Sequence, residues 1–135
     1  MKHERHYIDG DQLSQEILQR ILSQIGVKDN VAITIVHNGT IGRRSMEFCT
    51  MCKTTGVVLL KAPLIKNGTD FYLIALIGGV IAKKYDSDIF IHTNDKALAK
   101  AAIDYGAMNL YMVAQVLINK DQKYLRNDKP NLSVN

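Results

Sequence analysis

Short β-branched runs and helix-period stretches alternate along this chain, with a polar turn between each pair. Arg5 to Ile8 is an extended run that ends at Asp9-Gly10-Asp11-Gln12. Leu13, Ile17, Ile21 and Ile25 then recur every four residues with Leu18 and Leu22 beside them, which predicts an amphipathic helix closed by Gly26. Val31 to Val36 is a β-branched run that suits a strand covered on both faces, and His37 to Gly42 is its loop. Arg43 to Thr55 is a weaker helical segment stopped by Gly56. Val57 to Leu60 follows as a third strand, with a breaker at Pro63.

The second half repeats the alternation more clearly, and the stretch from Lys66 to Lys100 organises it. Thr69 is placed to cap a helix running from about Asp70 to Tyr85, and Ile89 to His92 reads as a fourth strand. Asp95 opens a further helix with Leu98, Ala101, Ala102 and Tyr105 on one face, stopped at Gly106. Leu110 to Ala114 is the fifth strand. The pattern predicts one α/β domain over residues 1–118, three-layered, with a five-stranded mainly parallel sheet joined by right-handed crossovers. Residues 119–135 are mostly polar and read as a loose tail or a partner-dependent arm. Phe71 to Ala82 is apolar almost all round. That predicts a second buried face, and hence a homodimer, with Gly78 and Gly79 allowing close approach.

Composition narrows the class. At 135 residues the chain can bury a core without disulfide or metal staples. Its net charge of +4 permits a polyanionic partner. The first residues contain no apolar signal core, and the longest apolar run is well short of the roughly 20 residues needed to cross a bilayer, so no membrane partner and a cytoplasmic setting are expected. Cys49 and Cys52 form a lone C-x-x-C without a second pair of zinc ligands. Spaced by threes with Met46, they read as packing residues on a helix face.

The candidate chemistry is acidic. Turns after predicted strands carry Asp9 with Asp11, then Asp70, then Asp95. If the first and fourth strands are neighbours, Asp9 and Asp95 converge at the carboxyl edge, where α/β sheets bind ligands, and Asp70 leans over the same edge. Clustered carboxylates repel unless a cation sits between them, and hard oxygen donors suit Mg²⁺ or Mn²⁺. The competing reading is that Asp70 and Asp95 only favour helix N-termini.

Ile8-Asp9-Gly10-Asp11-Gln12, then Pro63, Lys66, Gly68 and Asp70, then Thr93-Asn94-Asp95 before a helix, together resemble the NYN branch of the PIN-like nucleases over about the first 115 residues. The resemblance implies strand order 3-2-1-4-5 and a metal-dependent ribonuclease acting on RNA. It implies Asp9, Asp70 and Asp95 as catalytic metal ligands, with Gln12 standing where the family usually has Asn, and Thr93 where it often has Ser. Asn94 sits within the same motif. The family usually carries another acid shortly beyond the position of Asp95. Here those positions are Ala97, Leu98 and Ala99, so Asp11 or Glu47 would have to supply that carboxylate.

Two alternatives stay open. Asp9 and Asp11 are also similar to the paired acids of haloacid-dehalogenase-type phosphatases, where the first would be nucleophile and the second general acid. A catalytically degenerate domain kept for nucleic-acid binding or assembly is the other. Arg43, Arg44, Lys66, Lys96 and Lys100 are candidates for holding a nucleic-acid backbone, with Lys53 and Lys61 adding to the field. No motif distinguishes RNA from DNA. His37 and His92 end predicted strands and read either as general acids or ligands, or as hydrogen-bonded structural residues.

Overall fold

Strand β1 (His3–Asp9) lies at the centre of the sheet, paired in parallel with β2 (Val31–His37) on one side and β4 (Ser87–His92) on the other. This is a computed structural model, and it describes residues 2–11, 13–26, 28–39, 50, 52–118 and 132–133. Among the described residues the remaining strands are β3 (Val58–Lys61), β5 (Val113–Val116) and β6 (Leu132–Ser133), and the helices with described bounds are α1 (Gln15–Ile25), α2 (Gly68–Ala82) and α3 (Lys96–Met108); residues 52–54 are also helical, and the rest of the helical segment expected before them, 43–49, lies outside the described residues. The sheet order is β3-β2-β1-β4-β5-β6. Its first five strands are all parallel, in the expected order 3-2-1-4-5, and β6 adds an antiparallel pair on Gln115 and Val116. Part of the stretch expected to be a loose tail is therefore an edge strand.

Each face of the sheet carries its own core. On the α1 face, Leu18, Ile21 and Leu22 pack with Ile8, Ile33, Ile35 and Val57, and Cys52 is buried among them. The packing role expected of Cys52 is thus its observed place, while Cys49 lies outside the described residues. On the other face, Leu73, Ile77, Val80 and Ile81 of α2 and Leu98, Ala102 and Ile103 of α3 pack on Tyr7, Val36, Ile89, Ile91 and Val113. Gly78 of α2 lies opposite Tyr105 of α3, so part of the all-round apolar character of α2 is used within the chain. Phe71 remains outside, 61% exposed.

Several element ends differ from the sequence expectation for identifiable reasons. α2 begins at Gly68, so Thr69 lies inside its first turn and does not cap it. The N-cap is Asn67, in the left-handed conformation with φ 60 and with no side-chain cap bond. α3 runs through Gly106 because that glycine serves packing: a Cβ there would meet Val113 and the Tyr111 carbonyl oxygen. Leu110 is not in a strand. It takes a left-handed turn at φ 63 that ends the helix, and β5 starts only at Val113.

A chain of polar side chains crosses the interior between β1 and β4. His6 Nε2 lies 3.0 Å from Glu4 Oε1, and His6 Nδ1 lies 2.8 Å from His92 Nε2. A carboxylate can only accept, so the His6 Nε2–H donates to Glu4. Neutral His6 then accepts at Nδ1 from the His92 Nε2–H. The His6 ring also stacks on Phe90, with centroids 4.6 Å apart. Burial pushes both histidines down, His6 against the opposing pull of Glu4, and His92 to about 3 with His6 as a further cause.

Two outcomes follow from this packing. A Cβ at Gly68 would run into the Pro63 carbonyl oxygen. Gly68→Ala should therefore cost about 1–3 kcal/mol in a denaturant melt, whereas Gly79→Ala, with open space at its Cβ, should not destabilise. The unfolded chain takes up protons on its histidines below pH 6.5 while folded His92 resists until about 3. Stability should therefore fall as pH drops from 6.5 towards 5, by at most about 1.4 kcal/mol per pH unit for each such histidine. His92→Gln should flatten that slope.

Candidate functional site

The loops after β1, β2 and β4 leave the sheet at one edge, and the first turn of α2 closes over them. Because β1 sits between β2 and β4, the residues after Asp9, His37 and His92 are neighbours in space. The ladders continue beyond the strands: the Gly10 N–H donates to the Val36 carbonyl at 2.8 Å, and the Thr93 N–H to the Val116 carbonyl at 3.1 Å.

Thr93 is fully buried, and all its polar groups are engaged. Its Oγ1 accepts the Asp95 N–H at 3.1 Å, so its single proton is directed to Asp9 Oδ2 at 2.8 Å. Its carbonyl accepts from Gln115 Nε2 at 2.9 Å. The other oxygen of Asp9 takes a long 3.4 Å bond from the Asp11 N–H. Asp11 Oδ1 in turn accepts two donors at 2.9 Å, the Asn38 N–H and the Thr69 hydroxyl.

Asp95 serves two purposes with different atoms. Its Oδ1 caps α3 by accepting the Leu98 N–H at 3.0 Å. Its charge also reaches Asp9 and Asp70. Asp70, in the first turn of α2, has a carboxylate with no hydrogen bond or ion pair among the described residues.

The electrostatics follow from this crowding. Burial raises Asp9 first; the Thr93 hydroxyl and the Asp11 N–H hold it down, and the charges of Asp11 and Asp95 push it further up. Burial also raises Asp70, followed by the charges of Asp95, Asp9 and Asp11. Among the described residues none of the four acids forms an ion pair with a lysine, arginine or histidine. Nor are three His, Cys, Asp or Glu side chains gathered as a ready-made metal-binding group among them. A small hard cation is commonly held by one or two carboxylates with water completing its shell, and this oxygen-only edge fits that chemistry.

The other candidates divide. Asn94 turns away from the acids: its side chain donates to the Ile118 carbonyl at 2.8 Å and accepts the Ile118 N–H at 2.7 Å, which fixes the exit of β5. His92 faces His6 in the interior. His37 Nδ1 accepts the Gly39 N–H at 2.9 Å, so the neutral ring carries its proton on Nε2 and is a donor there, not a metal ligand. Burial lowers His37, Asp11 opposes that and Lys61 adds to it. Lys66 and Lys96 are exposed beside the site, while Lys100 is tied to Asp104 at 2.8 Å. Gln12, Arg43, Arg44 and Glu47 lie outside the described residues. Thr69, which the sequence places as a cap directly before Asp70, is instead a partner of Asp11 at this edge.

Asp70→Asn removes one charge from a repelling group without changing shape. In metal-free buffer at neutral pH it should raise the melting temperature by roughly 1–3 °C, the scale expected once solvent screening is allowed for. A melting temperature at or below that of the native chain would show that the repulsion is not felt.

No protein-family model matches the chain, and no curated protein does.

Proposed function

We propose that the chain is a divalent-metal-dependent ribonuclease of the NYN/PIN-like type, hydrolysing phosphodiesters at the carboxyl edge of its sheet. One observation carries the reading: Asp9, Asp11, Asp70 and Asp95 lie close enough to act on one another's charge, and no cation among the described residues pairs with them. A bound Mg²⁺ or Mn²⁺ would relieve that repulsion, activate a water and neutralise charge developing on the phosphate.

The chain's own groups orient and surround that centre. Thr93 fixes the rotamer of Asp9 and keeps one of its oxygens solvated by a hydroxyl. Lys61 at the end of β3, with Lys66 and Lys96, is exposed on the same side and suited to meeting a phosphate backbone. The choice of RNA rests on the family resemblance. The phosphatase reading is weaker, because Asp11 Oδ1 is engaged by the Asn38 N–H and the Thr69 hydroxyl, and because it gives the turn from Lys66 to Asp70 no role.

The test is a Mn²⁺ titration followed by cleavage assays on single-stranded and structured RNA. The native chain should bind Mn²⁺ and cut RNA, and Asp9→Asn and Asp95→Asn should each lose at least about 100-fold in rate. Asn remains a good N-cap, so Asp95→Asn should keep α3 intact and its loss should be chemical. Turnover of small phosphomonoesters through an aspartyl-phosphate at Asp9 would favour the phosphatase. No binding at millimolar Mn²⁺ would leave a binding or assembly module.

A further inference from the structure

Thr69 is a buried polar residue at this edge. It is 2% exposed and stands in the first turn of α2, where Asn67 provides no side-chain cap. A buried hydroxyl needs a partner, and this one reaches across 58 positions of sequence to Asp11 Oδ1. The same oxygen accepts the Asn38 N–H. Three segments therefore meet on one atom: the turn after β1, the turn after β2, and the start of α2.

We propose that Thr69 is a positioning residue for the metal centre, its hydroxyl fixing the first turn of α2, and with it Asp70, against Asp11. The inference rests on the metal-site reading above and assigns a further residue to it. Both donors fall on Asp11 Oδ1, so the rotamer is held, and with no donor on it among the described residues Oδ2 is left for a cation. Asp70 has no hydrogen bond of its own among the described residues, so its place is inherited from the backbone beside Thr69. An anionic Asp11 next to the N-terminus of α2 also interacts favourably with the helix dipole. Groups that only orient metal ligands commonly change affinity by about 10–100-fold when removed.

Thr69→Val removes the hydroxyl at nearly constant volume, and Thr69→Ser keeps it. Two readouts are compared on the native chain and both variants: amide chemical shifts of Asp11, Asn38 and Asp70 without metal, and Mn²⁺ affinity. The valine variant should shift those amides and bind Mn²⁺ about 10-fold more weakly, and the serine variant should restore both. A melting-temperature loss with native Mn²⁺ affinity would mean a structural hydrogen bond only and would overturn the proposal. Unmoved Asn38 and Asp70 amides in the valine variant would overturn it as well. If the native chain binds no Mn²⁺, the metal-site reading fails and the positioning role with it, while the amide shifts still report separately whether the contact orders the edge.

Discussion

The parallel pairing of β1 between β2 and β4 is the constraint on which the edge depends. Parallel neighbours all finish on the same side, so pairing Asp9 with Val36 and Ile8 with His92 determines which loops can meet. The ladder then extends past the strand ends through Gly10 and Thr93. That extension carries the order of the sheet into the turns at the rim. A hydrophobic interior does the holding: Ile8, Ile35, Ile89 and Ile91 are completely buried, and a register slip of one residue would move each to the wrong core.

Gathering four carboxylates on that rim is unfavourable by itself, and the chain manages it by supplying neutral donors instead of counter-charges. Asp9 receives the Thr93 hydroxyl, Asp11 receives Thr69 and the Asn38 amide, and Asp95 receives the Leu98 amide. A neutral donor lowers the energy of an anion without cancelling its charge, so the field at the rim stays negative. A lysine in the same place would have offset that charge directly. The distribution is uneven, since Asp70 has no donor among the described residues. Its carboxylate is the one of the four that no hydrogen bond offsets there.

The architecture was legible because it depends on local pattern: short continuous β-branched runs alternating with helix-period stretches leave few arrangements other than a parallel sheet with covering helices. The acids were legible for a related reason, as each directly follows a strand or begins a helix. What escaped depends on contacts far apart in sequence. Thr69 looked like a cap because capping is judged from adjacent residues, and its partner lies 58 positions away. Asn94 looked like part of the acidic motif, but its side chain spans to Ile118, 24 positions on. Gly106 looked like a stop signal, whereas its lack of a Cβ admits Val113. Local sequence identifies which residue is special and leaves open which neighbour makes it so.

Packing disfavours an acid at two of the three positions beyond Asp95 where the family resemblance implies one. Leu98 and Ala99 point into the protein, at 4% and 2% exposure, and Leu98 belongs to the core shared by α2, α3 and the sheet. A carboxylate at either position would be desolvated without a partner, a cost of several kcal/mol. Ala97, the third of these positions, is exposed. Asp11 approaches from the β1 side, where the Asn38 amide and the Thr69 hydroxyl are available to it and where its charge already acts on Asp9 and Asp70. Asp11 thus adds negative charge from the strand turn, beside Asp70 and Asp95 at the starts of α2 and α3, while Leu98 and Ala99 serve the core.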